Sequence, residues 1–112
     1  MGSIQLNNRL WIEKEGIPFL GYGRIHLLET IDKEGSINKA AKALGMSYKR
    51  AWYLVNAINN IADEPIVERS TGGSGGGGTS ITPKGKLVIK EFKRIDSLCQ
   101  KVLKKEEKNC CF

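Results

Sequence analysis

The sequence predicts an α+β fold, mainly α, closed into one domain. Three observations carry that expectation. Apolar residues recur every three or four positions in four separate segments, the periodicity of helices that bury one face. Two short runs containing β-branched residues flank a glycine-dense tract, as the arms of a hairpin would. The chain has 112 residues with 40% hydrophobic content, enough for a single core and too short for two ordinary domains.

Taken in order, IQLNNRLWIEKEG (4–16) alternates loosely, with Leu6, Leu10 and Ile12 among polar residues, and predicts a strand. Gly16 and Pro18 mark a turn, and IPFLGYG offers a short partner strand. RIHLLETIDKEG (24–35) predicts a helix with Ile25, Leu28 and Ile31 on one face, Leu27 beside it and Gly35 as its stop. SINKAAKALG (36–45) predicts a second, short helix capped by Ser36, burying Ile37, Ala40, Ala41 and Leu44 and ended by Gly45. Met46 is expected to plug the core in the turn. Ser47 then caps YKRAWYLVNAINNIA (48–62), whose stripe of Ala51, Leu54, Val55, Ile58 and Ile61 or Ala62 faces inward while Lys49, Arg50, Tyr53, Asn56 and Asn60 face out. Two helices joined by a tight glycine-containing turn predict a helix-turn-helix over about 36–62, and the small Ala40–Ala41 pair lets the second helix cross closely over the first.

PIVER (65–69) and TSIT (79–82) read as paired strands, so a hairpin is expected over about 65–82. Thr82 and Pro83 supply the cap and first position of a last helix over about 83–106. Val88, Phe92, Ile95, Cys99 and Val102 repeat there at coiled-coil-like spacing, which makes them candidates for a homodimer seam.

The tract STGGSGGGGTS (70–80) holds six glycines and admits three readings. As an inter-domain linker it fails, because the residues behind it are mostly one helix with no core of its own. As a nucleotide loop it satisfies G-x-G-x-x-G at Gly73, Gly75 and Gly78, but the strand-like TSIT follows where a helix should open, and the P-loop lysine is absent because Thr79 follows Gly78. The third reading is a hairpin tip whose backbone approaches another molecule without side-chain clash.

Charge points to what that molecule is. Formal net charge is +6, and between Gly35 and Ala62 there is no carboxylate, while Lys39, Lys42, Lys49 and Arg50 stand there. A basic, acid-free stretch suits a polyanion. The outward face of 48–62 offers Ser, Tyr, Lys, Arg and Asn, the donor-rich set that reads a major groove. Cys99, Cys110 and Cys111 have neither disulfide-scaffold nor zinc spacing, Asn109 occupies the place a prenylated cysteine would need, and the single His26 lies in a helical segment, so no metal, cofactor or catalytic residue is expected. No secretory signal or membrane span is visible, and the cytoplasm is the expected location.

GRIHLLETIDKEGSINKAAKALGMSYKRAWYLVNAINN followed by EPIVERSTGGSGGGGTSITPKGK resembles the N-terminal winged-helix domain of the ModE-type molybdate-dependent transcriptional regulators, a group similar to the LysR-type DNA-binding domain. The resemblance covers about 4–105. It implies a dimeric winged helix that binds DNA, with recognition helix 47–62 and wing 66–82. In that family a separate OB-like domain senses the oxyanion; no such domain, and no oxyanion ligand, is expected for this chain.

The expectation for the whole chain is therefore a single winged-helix domain, not an enzyme, that binds double-stranded DNA in a sequence-specific way as a homodimer. Candidate DNA-binding residues are Ser36, Ser47, Tyr48, Lys49, Arg50, Tyr53, Arg69, Gly73, Gly75, Gly76, Gly77, Thr79 and Lys84. Tyr48 and Trp52 also suit packing at the edge of the core, Trp52 more so. Two other functions compete: a winged helix used as a protein-interaction module, which would gain nothing from excluding acids, and a small oxyanion-binding protein that uses the glycine loop as an anion nest.

Overall fold

The computed structural model describes residues 2–70 and 78–112. Its elements run β1 (Trp11–Lys14), β2 (Ile17–Gly21), α1 (Tyr22–Glu34), α2 (Ile37–Leu44), α3 (Tyr48–Ile61), β3 (Val67–Arg69), β4 (Thr79–Ile81) and α4 (Pro83–Glu107). Two separate antiparallel hairpins, β1–β2 and β3–β4, flank the helices. This is the mainly helical winged helix-turn-helix that the residue pattern predicts.

The first hairpin is shorter than its sequence suggested. Strand structure is confined to Trp11–Lys14, not 4–16, because β2 offers a partner only from Ile17 to Gly21. The turn is Glu15–Gly16, both at positive φ (52° and 77°), which is what a two-residue hairpin with right-handed strand twist requires. Pro18 lies within β2, opposite Glu13, beside the register irregularity between Ile12 and Glu13; a bulge tolerates a residue without an N–H. The residues before β1 instead run along the far half of α4. The Leu6 N–H donates to Glu107 Oε2, and Gln100 Nε2 donates to Asn8 Oδ1, both at 2.9 Å.

Helix α1 starts two residues before the expected Arg24 and forms the centre of the domain. Leu27 was expected only to flank its apolar face. It is fully buried, as are Leu28 and Ile31, because α1 is covered from more than one side by α2, β2, β4 and α4. Each such side chain contributes roughly 1.5–3 kcal/mol by leaving water. Gly35 ends α1 at φ 71°, a left-handed conformation that suits glycine. Ser36 Oγ accepts the Lys39 N–H at 3.2 Å and opens α2. Gly45 closes that helix, and the Met46 N–H folds back to the Ala41 carbonyl at 3.0 Å. Ala40 and Ala41 are buried, so α3 crosses α2 closely through Ala51, Val55 and Ile58. Leu54, Ala62 and Met46 pack at the edge of this core.

The second hairpin pairs Val67 with Ile81, Glu68 with Ser80 and Arg69 with Thr79. It is fixed at both ends. At the root, Asn59 on α3 accepts the N–H groups of Ile66 (2.9 Å) and Val67 (3.1 Å) and donates to the Val67 carbonyl (2.9 Å). Thr82 adds an N–H to the Ile66 carbonyl at 3.0 Å, and its hydroxyl donates to the Pro65 carbonyl while accepting the Gly85 N–H. At the other end Ser70 N–H meets Gly78 O at 2.9 Å, and Thr79 N–H donates to the carbonyl of Gly35 at 2.9 Å.

Helix α4 has 25 residues, about 37 Å at the usual rise; its first half packs on the core, and its second half meets the segment that precedes β1. Phe92 is 3% exposed and packs edge-on to Tyr22, with ring centroids 5.5 Å apart. The Tyr22 hydroxyl donates to Asp96, and Lys93 pairs with Glu29. The expected dimer seam therefore divides. Phe92, and with it half-buried Val88, belongs to the chain's own core, because the aromatic ring of Tyr22 covers it. Ile95 and Cys99 are half-buried, and Val102 is 59% exposed.

Gly85 sits where α4 crosses the hairpin root. A Cβ there would lie 2.5 Å from the Ile66 carbonyl oxygen and 2.6 Å from Ile81 Cγ2. In an open helix Gly→Ala stabilises by about 1 kcal/mol. Here the sign should reverse: Gly85→Ala should lower stability by roughly 1–3 kcal/mol, as overpacking does, read as a lower urea midpoint at unchanged slope.

Candidate nucleic-acid interface

Helix α3 begins without an acidic residue in its first turn and is capped by a neutral hydroxyl: Ser47 Oγ accepts the Arg50 N–H at 3.0 Å. From that start Tyr48, Lys49, Arg50 and Tyr53 are all exposed, Tyr53 to 61%. Alternation of buried Ala51 and Val55 with these residues turns them to the outer side of the helix, one turn apart. The Arg50 guanidinium lies 5.5 Å from the centre of the Tyr53 ring, within range of a cation–π attraction. Among the described residues Lys49 and Arg50 make no ion pair with a carboxylate.

The wing joins this face. Strand β3 runs antiparallel to α3: Asn59, near the helix end, holds Ile66 and Val67, while Trp52, two turns earlier, meets Arg69. The Arg69 guanidinium carbon stands 4.1 Å from the Trp52 ring centroid, and Trp52 in turn meets Tyr48 edge-on at 6.3 Å. Arg69 thus lies beside the first two turns of α3. On the neighbouring strand Thr79 is tied to Gly35, which places Ser36 and the start of α2 next to the same end of the hairpin. Ser47, Tyr48, Lys49, Arg50, Tyr53 and Arg69 are thereby gathered around the N-terminal half of α3, with Thr79 and Ser36 at the wing's other strand. Gly73, Gly75, Gly76 and Gly77 lie outside the described residues.

Lys84 is placed differently. It follows the hairpin root, at the opposite end from Arg69 and Thr79. Its charge acts on Asp63, whose carboxyl is held below its ordinary range chiefly by the hydrogen bond and charge of Lys14 and to a smaller extent by Lys84. Of the candidate DNA-binding residues, Arg69 and Lys84 therefore lie at opposite ends of the wing. Sequence reasoning also missed Asn59, which carried no signal beyond being one polar residue among several near the helix end. It gave Trp52 only a packing role, since nothing in the residue order announces that a guanidinium from the strand beyond will lie on its ring.

Residues 23–86, more than half of the chain, match the family described as bacterial regulatory helix-turn-helix protein, lysR family. The chain belongs to that family. Its form of the domain is the ModE type. It is 45% identical over 80 residues to the molybdenum transport protein ModE of Azotobacter vinelandii, which covers 71% of this chain and 30% of that protein. It is 38% identical over 94 residues to the molybdenum-pterin-binding protein MopA of Rhodobacter capsulatus, covering 84% of this chain and 36% of that one. It is 42% identical over 78 residues to the DNA-binding transcriptional dual regulator ModE of Escherichia coli K12, covering 70% and 30%. The chain thus spans about a third of the length of these relatives.

The cap geometry of this helix-turn-helix separates stability from binding at one atom. Ser47→Ala should cost about 1 kcal/mol through the lost cap, seen as a lower melting temperature. Ser47→Asp should keep the cap and the stability, yet weaken DNA binding, because it sets a carboxylate on the acid-free face.

Proposed function

We propose that this chain is the DNA-binding part of a transcription regulator that acts in the bacterial cytoplasm, recognises a specific duplex sequence and catalyses no reaction. The carrying observation is the exposed, carboxylate-free start of α3, with Lys49, Arg50 and Tyr53 outward and Arg69 of the wing alongside. Helix α3 enters the major groove by its N-terminal half, where Lys49 and Arg50 reach base edges and Tyr48, Tyr53 and the Ser47 hydroxyl meet bases or backbone. The wing, from Arg69 through Gly73, Gly75, Gly76 and Gly77 to Thr79, follows the backbone or minor groove beside it, with Ser36 on an adjoining phosphate. The molybdenum in the relatives' names belongs to proteins of which this chain matches 30–36%.

Selection of bound fragments from a bacterial genomic library tests the proposal directly. It requires one enriched sequence. Fragments without a common site would leave only general polyanion binding. On the selected site, Lys49→Ala and Arg50→Ala should each weaken binding by about 1–3 kcal/mol, the worth of one good base contact, with melting temperature nearly unchanged. A variant that binds like its parent removes that residue from the base-reading set.

The working unit is proposed to be a homodimer built on the second half of α4. Ile95, Cys99 and Val102 line that half with Leu98; Leu98 is 49% and Val102 59% exposed, while Ile95 and Cys99 are half-buried. A second copy is the simplest cover for such a stripe, and two-fold symmetry would match an inverted-repeat site. Ile95→Asp combined with Val102→Asp should yield a monomer by light scattering and lower affinity for the inverted repeat by roughly tenfold or more, because the two half-sites are no longer bound together. A variant that stays dimeric places the interface elsewhere, and a parent that is monomeric at high micromolar concentration refutes the dimer.

A further inference from the structure

The contact between Arg69 and Trp52 couples the wing to the recognition helix. A guanidinium 4.1 Å from a ring centroid lies against the indole face, where the ring quadrupole attracts it. Stacking occupies the face of the guanidinium and leaves its five N–H donors, which lie in the guanidinium plane, directed outward around the ring edge. Among the described residues none of those donors reaches a protein acceptor, and no carboxylate lies within ion-pair distance of Arg69. Trp52 cannot swing away freely. It is half-buried, packs on the core and is braced edge-on by Tyr48. Strand β3 is likewise held at its root by Asn59, so its exposed end has little freedom except at the Arg69 side chain itself.

We propose that Trp52 is a positioning residue for DNA recognition: its ring holds Arg69 so that the in-plane donors of the guanidinium meet a backbone phosphate beside the bases that α3 faces. This rests on the DNA-binding function proposed above. The wing then binds in fixed register with the recognition helix, because both are referenced to one indole. A lysine at position 69 would carry the charge without the flat face, and so without the register.

The test uses the selected operator and four variants: Arg69→Gln, Trp52→Phe, Trp52→Leu, and Trp52→Leu combined with Arg69→Gln. Affinity is measured across a salt series, and melting temperature is recorded for each. One phosphate contact contributes about one unit to the slope of log K against log salt. Arg69→Gln should lower the slope by about one. Trp52→Leu should lower it as well, and Arg69→Gln should add nothing further in that background. Trp52→Phe, which keeps a ring under the guanidinium, should retain most of the parent slope. In a Trp11→Phe background, Arg69→Gln should also change the emission of Trp52 in the free protein. A purely structural Trp52 would instead weaken binding at unchanged slope and add independently to Arg69→Gln.

If Trp52→Leu fails to fold, Arg69→Gln decides alone, since it alters an exposed side chain: an unchanged slope overturns the proposal. Lys49→Ala and Arg50→Ala serve as the reference. If they weaken binding while the Arg69 and Trp52 variants are silent, this inference fails by itself. If all are silent, the DNA-reading face has been misassigned.

Discussion

Ile66 is where three elements meet with no room for a methyl group. Its N–H is taken by Asn59 of α3, its carbonyl accepts the Thr82 N–H that precedes α4, and the Cα of Gly85 packs so tightly that a Cβ would overlap the same carbonyl. Its side chain is fully buried. A backbone segment buried this deeply must have its polar groups paired, and here each is paired by a different element. The direction of β3, the launch angle of α4 and the lateral position of α3 are thereby all referenced to one residue. Everything on the outer face inherits its geometry from that junction, because the hairpin leaves it as a stiff arm alongside the recognition helix.

Helix termini show a second constraint. Among the described residues, none of the helices α1 to α4 has an acidic residue in its first turn. Aspartate or glutamate there would complement the helix dipole by some 0.3–1 kcal/mol. Helices α2, α3 and α4 instead use the hydroxyls of Ser36, Ser47 and Thr82, which satisfy an N–H without adding a negative charge. For α2 and α3 the choice has an electrostatic meaning, since their N-termini lie on the acid-free face. The positive end of the dipole is left available to a phosphate, at some expense in intrinsic helix stability.

Much of this was legible in the residue order. Gly35, Gly45, Ser36, Ser47, Thr82 and Pro83 act locally, within one turn of chain, and their roles follow from backbone chemistry alone. The polar face of α3 was legible for the same reason: helical periodicity assigns sides without knowing the partner. What depended on long-range packing was not legible. The loose alternation of residues 4–10 looks like strand, but the available partner strand ends at Gly21, and that limit is set by the turn at Glu15–Gly16 and the start of α1. Phe92 falls on a perfect seam, yet whether a seam residue faces its own domain or a second copy depends on the distance along α4 at which the core ends. The pairing of Arg69 with Trp52 needs the antiparallel run of β3 along α3, which no spacing encodes. Lys84 shows the converse: close to the wing in sequence, it lies at the hairpin root, the end opposite Arg69 and Thr79.

The closure of the wing by Ser70 and Gly78 has a consequence for the length of chain beyond it. Ser70 gives both its N–H and its hydroxyl to the Gly78 carbonyl, and its oxygen accepts the Gly78 N–H in return. The two strands of the hairpin are thus locked to each other at Ser70 and Gly78. Lengthening a loop beyond a closed pair costs only about 0.6 kcal/mol per doubling. A change of length between those two residues therefore alters the closure entropy only slightly. Closed in this way, the base of the wing keeps the strand pair that carries Arg69 in register whatever the length of chain beyond it.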